Sequence, residues 1–229
     1  MSNRIFLRNL ILAGFVSLSA GLAQAHPTAE EPDLAGLTQI QNPKFDEVWL
    51  KGNSALSGYS NIYIEEPEIS LRKGWKRDQN RFDPNRITQR DIDRIKSNLA
   101  ELTVTVFQGQ LRKDGFKVVP EPGPKTLILR PNIVDLDIAA PDSSAPGRRF
   151  SYAQSAGEFT LLLNLRDGSS NEVIGQVRDR KRDPRRNVFE WRNRVTNEAT
   201  ARRMLRSWAR DLGAELASHP WEQPVAVGP

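Results

Sequence analysis

A chain of 229 residues, 38% hydrophobic and 27% charged, suits one globular domain of ordinary size with its own core. It has no cysteine, which excludes disulfides, zinc–thiolate sites and thiol nucleophiles. The formal charge is +5, and setting aside Arg4 and Arg8 in an N-terminal leader leaves +3, too little to point to nucleic acid.

Residues Met1–Ala25 read as a secretory signal. Arg4 and Arg8 supply the positive start, Leu10–Ala20 the short apolar run, and Ala23-Gln24-Ala25 the small residues a signal peptidase reads, which makes His26 the first mature residue. A spanning anchor fits less well, because the run is shorter than the ~20 residues a span needs and contains Gly14, Ser17, Ser19 and Gly21. Leu18-Ser19-Ala20-Gly21 resembles the start of a lipoprotein-processing box, but Leu22 stands where the lipidated cysteine belongs. The expectation is a periplasmic protein without a lipid anchor and without a membrane span after cleavage.

Residues 26–44, with Pro27, Pro32 and Pro43, read as a flexible lead-in to a single domain over 45–219, followed by a disordered tail over 220–229. Phe45–Leu50 reads as a short extended segment and Asn61–Ile64 as a strand with Ile62 and Ile64 inward. Ser70–Arg86 reads as a basic loop carrying Trp75 and Phe82. A helix begins at Thr88, with Asp91 three residues on as in a capping box. Ile92, Ile95, Leu99, Leu102 and Val106 form its apolar stripe, and Gly115 stops it. The β-branched run Thr103–Val106 alternates like a strand and opposes that reading.

A short strand follows at Phe116–Val119, then a turn through Pro120, Pro122, Gly123 and Pro124. The stretch from Thr126 to Arg182, around which the chain is organised, reads as three strands: Leu127–Ile138, Glu158–Arg166 and Glu172–Arg180. In the middle one Phe159, Leu161, Leu163 and Leu165 share one face, the period-two pattern of a half-buried strand. Pro131 predicts a bulge or an edge position. Ala139–Ala156 reads as a long loop with Arg148 and Arg149. The final helix spans about Asn197–Ser218, burying Ala201, Leu205, Trp208, Leu212 and Leu216. This order predicts an α+β fold in two layers, a mainly antiparallel sheet with two helices packed on one face.

Several short motifs occur in an order that carries a family resemblance. They are Gly58-Tyr59, Glu121-Pro122-Gly123-Pro124, Pro131-Asn132-Ile133-Val134-Asp135-Leu136, Ala140-Pro141-Asp142, Ser155-Ala156-Gly157-Glu158 with Leu165-Arg166-Asp167, Val195-Thr196-Asn197, and Trp208-Ala209. On these the chain resembles the bacterial envelope lipoprotein family called domain of unknown function 3313, over nearly all of its mature length. The resemblance implies an envelope location and brings no catalytic residue or cofactor with it.

Candidate chemistry is sparse. Asp135 and Asp137, set on one strand face with Asp142, Glu158 and Asp179 nearby, would suit a periplasmic hydrolase or a divalent cation, but alternating polar positions also mark the wet side of a half-buried strand. A copper brace on His26 would need His219, at the far end of the chain. No nucleophile elbow, phosphate loop or dinucleotide fingerprint occurs, and no cofactor is expected. Trp49, Trp75, Trp191 and Trp208 would suit sugar stacking, though core packing explains tryptophans as well.

Charge is distributed unevenly. Residues 176–210 hold 12 Lys or Arg against 4 Asp or Glu, whereas 26–70 hold 2 against 8. Arg178, Arg180 and Arg182 alternate along one strand, and Arg203, Arg206 and Arg210 lie opposite the buried stripe of the last helix. These six are the candidate contacts for an anionic envelope component or an acidic protein surface, acting in a non-catalytic binding module. The opposing reading is an ordinary solvated face, or one covered by the acidic N-terminal part of the chain.

Overall fold

The computed structural model describes residues 34, 36–52, 56, 58–81, 86–138, 151–153, 157–182, 190–192 and 194–218. The expectations placed on Met1–Ala25, His26, Phe82, Asp142, Arg148, Arg149, His219 and the tail over 220–229 lie outside them.

In chain order the elements are β1 (Thr38–Ile40), β2 (Glu47–Leu50), β3 (Asn61–Ile64), β4 (Ile69–Leu71), α1 (Trp75–Gln79), α2 (Gln89–Lys113), β5 (Lys117–Val118), β6 (Thr126–Ile138), β7 (Ser151–Ala153), β8 (Gly157–Asp167), β9 (Val173–Arg182), β10 (Glu190–Arg192) and α3 (Arg194–Ser218). Among the described residues, eight strands form one sheet in the order β1-β2-β9-β8-β6-β3-β5, with β4 also paired to β6, while β7 and β10 form a separate hairpin. The class is α+β. The sheet, however, is mixed, not mainly antiparallel: β1, β2, β9, β8 and β6 pair antiparallel, but β3 pairs parallel with both β5 and β6, and β4 parallel with β6. The reason lies in the connection. The chain passes from β3 and β4 through α2 before it returns as β5 and β6, and a helical crossover lays the returning strands alongside the earlier ones in the same direction.

Three segments differ from the sequence reading. The basic loop over Ser70–Arg86 contains the end of β4 and the short helix α1, whose Trp75 is 1% exposed and donates its indole N–H to the Ile138 carbonyl at 3.1 Å. β1 lies in the stretch read as a lead-in, and β7 in the stretch read as a loop.

Pro131 sits in the centre of the sheet, opposite Leu163 of β8. On the other edge of β6 the Leu129 carbonyl accepts from Glu65 N at 2.9 Å and Ile133 N donates to the Glu68 carbonyl at 2.9 Å. Pro131 falls midway between them, at the break between β3 and β4, so its missing N–H deprives no neighbour. The bulge lies further on. Val134 pairs with Thr160 and Asp137 with Glu158, leaving one extra residue on β6, and Asp135 takes up the distortion with φ 52°.

The helices follow local signals. Asp91 N donates to Thr88 Oγ1 at 3.2 Å while Thr88 N donates to the Asp91 carboxylate at 2.9 Å, a reciprocal cap at the start of α2. Inside the helix the β-branched run is accommodated, and the Thr103 hydroxyl donates to the Leu99 carbonyl at 2.7 Å. At the other end Gly115, with φ 93°, lets its own N–H reach the Arg112 carbonyl and Phe116 N reach the Leu111 carbonyl, closing the helix in a Schellman arrangement.

One core holds these elements together. Phe107 and Leu111 of α2, Leu205 and Trp208 of α3, and Leu129 and Leu163 of the sheet belong to a single apolar cluster and are each 0% exposed. The two long helices run side by side in the same direction. A Cβ at Gly213 of α3 would lie 2.6 Å from the Asp114 carboxylate just beyond α2, so the C-terminal ends nearly touch. The N-terminal halves do not, and the space between them is a groove.

Candidate functional site

The groove has a volume of about 440 Å³. Its floor is the end of the sheet, formed by Leu136 and Ile138 of β6 and by Gly157 and Phe159 of β8. One wall is α2, through Ile95, Leu99 and Leu102, and the other is α3, through Ala201 and Met204. Gly157 is required where the floor is formed. Its φ is 133°, and a Cβ there would come within 2.2 Å of the Asp137 carbonyl oxygen. The α2 stripe explains the opening. Ile92, Leu99 and Val106 are buried, whereas Ile95 and Leu102 are only half-buried, as is Ala201 across from them. The lips are polar: Arg94 pairs with Asp91 at 3.0 Å, Arg202 with Glu198 at 3.1 Å, and Asp137 receives Arg72 Nε at 2.8 Å.

The strand carboxylates do not converge on this groove. Asp135 is exposed at the bulge, so it no longer shares a regular strand face with Asp137. Glu158 is gripped by both Arg180, at 2.6 Å, and Arg182, and Arg182 foremost holds its carboxyl below the usual range. Asp179 faces the core at 6% exposure, accepting from Trp208 Nε1 at 2.6 Å and from Asp46 N at 3.1 Å; burial pushes its carboxyl up. Among the described residues, no three His, Cys, Asp or Glu side chains are grouped to hold a metal ion. Lys181 Nζ lies 2.9 Å from Ser207 Oγ, the spacing of a Ser–Lys pair, but Asp211 at 3.3 Å and Asp179 at 4.0 Å share that ammonium, and the groove does not reach Ser207. Of the tryptophans, Trp75 and Trp208 are core, and Trp49 is half-buried on β2.

The two arginine sets fall on opposite sides of the molecule. Val177, Asp179 and Lys181 point toward α3, so the exposed Arg178, Arg180 and Arg182 project from the other face of the sheet. Arg203, Arg206 and Arg210 are all exposed on the outer side of α3, whose Leu205, Trp208 and Leu212 are buried. On α3, Arg203 donates to the Thr200 hydroxyl at 3.1 Å and Arg210 pairs with Asp211 at 3.3 Å.

Four residues of the short motifs, Tyr59, Asn132, Asp167 and Trp208, are held in the scaffold. Tyr59 donates its hydroxyl to Asp167 at 2.9 Å, joining Gly58-Tyr59 to Leu165-Arg166-Asp167. Burial foremost pushes the Tyr59 phenol up, while the Ser170 backbone N–H foremost holds the Asp167 carboxyl down. The Asn132 amide oxygen accepts from Glu68 N at 2.8 Å across the break between β3 and β4, and Trp208 anchors α3 to Asp179 of β9. No curated protein sequence matches the chain. Among the solved structures the chain matches, two are as follows. A PelC dodecamer from Paraburkholderia phytofirmans aligns at 10% identity and TM-score 0.37, over 77% of this chain and 96% of that one. A neuraminyllactose-binding hemagglutinin homologue from Helicobacter pylori aligns at 14% identity and TM-score 0.33, over 71% and 82%. At these scores both likenesses are distant. The sequence match is firmer and spans the scaffold just described: the family model for a protein of unknown function, DUF3313, covers residues 29–212, and the chain belongs to that family.

Proposed function

We propose that the chain is exported, is cleaved after Ala25, and acts in the periplasm as a non-catalytic binding module without a lipid anchor. In this reading residues 45–219 form one domain whose two long helices cover one face of the sheet, which their shared cluster with Leu129 and Leu163 supports. The binding reading rests on one observation: Arg203, Arg206 and Arg210 line the exposed side of α3 while the opposite side of that helix is in the core. The ion pair of Arg210 with Asp211 lies at the surface, the kind of pair that contributes little to stability. A planar guanidinium suits phosphate and carboxylate groups, and a row of them suits an anionic lipid surface. The strand set is secondary, because Glu158 engages Arg180 and Arg182. No helix among the described residues is long and apolar enough to cross a membrane, so contact through α3 is peripheral.

The experiment is sedimentation with vesicles of anionic phosphatidylglycerol and of neutral phosphatidylcholine. Wild type should pellet with the anionic vesicles and an Arg203→Gln, Arg206→Gln, Arg210→Gln variant should not. Equal behaviour of the two proteins overturns the assignment to α3. Binding to an acidic protein surface but to no vesicle overturns the lipid partner.

A further inference from the structure

We propose that the groove between the N-terminal halves of α2 and α3 takes a small amphiphile with one alkyl chain and a cationic head. The site is separate from the outer face of α3 and does not depend on its docking. The lining fits an alkyl chain. Ile95 and Leu102 on one wall, Ala201 on the other and Ile138 below are half-exposed, although each packs against the core. Seating a chain among them removes that apolar surface from water. Met204, unbranched and polarizable, adapts to a flexible chain better than a branched residue would. The size fits one chain. Ligand sites run roughly 300–1,000 Å³, and at about 30 Å³ per water-sized group the groove's 440 Å³ holds about 15 such groups. That is a dodecyl chain and a small head.

The sign of the head follows from which rim charges are already matched. Among the described residues, the ionised side chains that line the groove are Arg94, Arg202, Glu101, Asp137 and Glu198. Arg202 and Glu198 pair with each other at 3.1 Å, Arg94 pairs with Asp91 at 3.0 Å, and Asp137 receives Arg72 at 2.8 Å. Glu101 is exposed and has no ion pair or hydrogen bond among the described residues. The charge left over is one carboxylate. On α2 it shares a rim stripe with Asn98 and Thr105, three residues before it and four after, beside Leu102 of the apolar wall. An ammonium at the end of a chain lying along Leu102 meets that carboxylate, and the Asn98 amide and Thr105 hydroxyl supply neutral oxygens for its other N–H groups. The rim arginines oppose a cation, so the gain is confined to this one exposed contact and the expected preference is several-fold.

The test is calorimetric titration of the full mature protein with three dodecyl probes below their micelle concentrations: dodecylammonium, dodecyl maltoside and laurate. The chain's formal charge is +5, or +3 without Arg4 and Arg8, so its overall field favours the anion and a preference for the cation reports the groove itself. Dodecylammonium should bind at one site about fivefold tighter than the maltoside, and laurate more weakly than either. Glu101→Gln should bring dodecylammonium down to the maltoside level and leave the maltoside unchanged. Ala201→Trp should fill the groove and lower the affinity for dodecylammonium about tenfold or more. Thr105→Trp, on the exposed rim of α2, serves the same purpose if the first variant does not fold. Absence of dodecylammonium binding, affinity no tighter than that of the maltoside, or wild-type dodecylammonium affinity in Glu101→Gln or in the folded groove-filling variant overturns the proposal.

Discussion

Asp179 is the residue whose ionisation is most at odds with its surroundings. It lies in the core beside Trp208, and burial raises its carboxyl while Asp46 opposes its charge and Lys181 favours it. Asp211 stands behind, on the same lysine. With the folded pKa above the unfolded one, this group's stabilising contribution is complete below about pH 4 and is lost as pH rises through the raised value. Asp179→Asn removes that dependence, so its unfolding midpoint in urea should gain on wild type as pH rises from about 4 to 7. A difference that does not change with pH contradicts this. Glu158 and Asp167 act in the other direction, since their lowered carboxyls lose stabilisation as pH falls. At Gly157 the constraint is steric. Gly157→Ala should destabilise by more than about 1 kcal/mol, because the methyl meets the Asp137 carbonyl. Wild-type urea stability would place that contact elsewhere.

At the scale of elements, the best-defined signals in the sequence were those that depend on neighbours in the chain. Thr88 and Asp91 cap α2 as their spacing predicts, Gly115 ends it, and the alternation from Phe159 to Leu165 makes β8. Leu163 and Leu205 are both fully buried, so Leu205→Ala should cost roughly 2–5 kcal/mol by the cavity it leaves, and Leu163→Asp more by burying an unpaired charge. Urea denaturation of the two variants checks this; midpoints equal to wild type would mean the faces are misassigned. What was not legible depends on distant partners. β1, β4, β7 and β10 have three residues each, too few for a period to show, and exist through pairings with β2, β6 and one another. The parallel pairs follow from the crossover, which no local pattern reports. The groove was hidden for a related reason. Ile95 and Leu102 belong to the same stripe as Leu99, and only the separation of α3 from α2 leaves them half-exposed. The arginines were legible as exposed positions, but their division between two sides of the molecule was not.

For the whole molecule, the proposal is an exported protein that docks through one helix. The mature protein recovered from the periplasm should have the mass of residues 26–229, and a mass retaining Met1–Ala25 would contradict export with cleavage. The central claim, that the outer face of α3 docks on an anionic surface, is electrostatic and should respond to salt, since the Debye length falls from about 10 Å at 0.1 M to about 3 Å at 1 M. The most direct measurement is the fraction of protein pelleted with phosphatidylglycerol vesicles across that salt range, for wild type and for the Arg203→Gln, Arg206→Gln, Arg210→Gln variant. The account predicts strong binding of wild type at low salt, steep loss as salt rises, and little binding of the variant at any salt. Binding that is insensitive to salt, or equal in the two proteins, would contradict it.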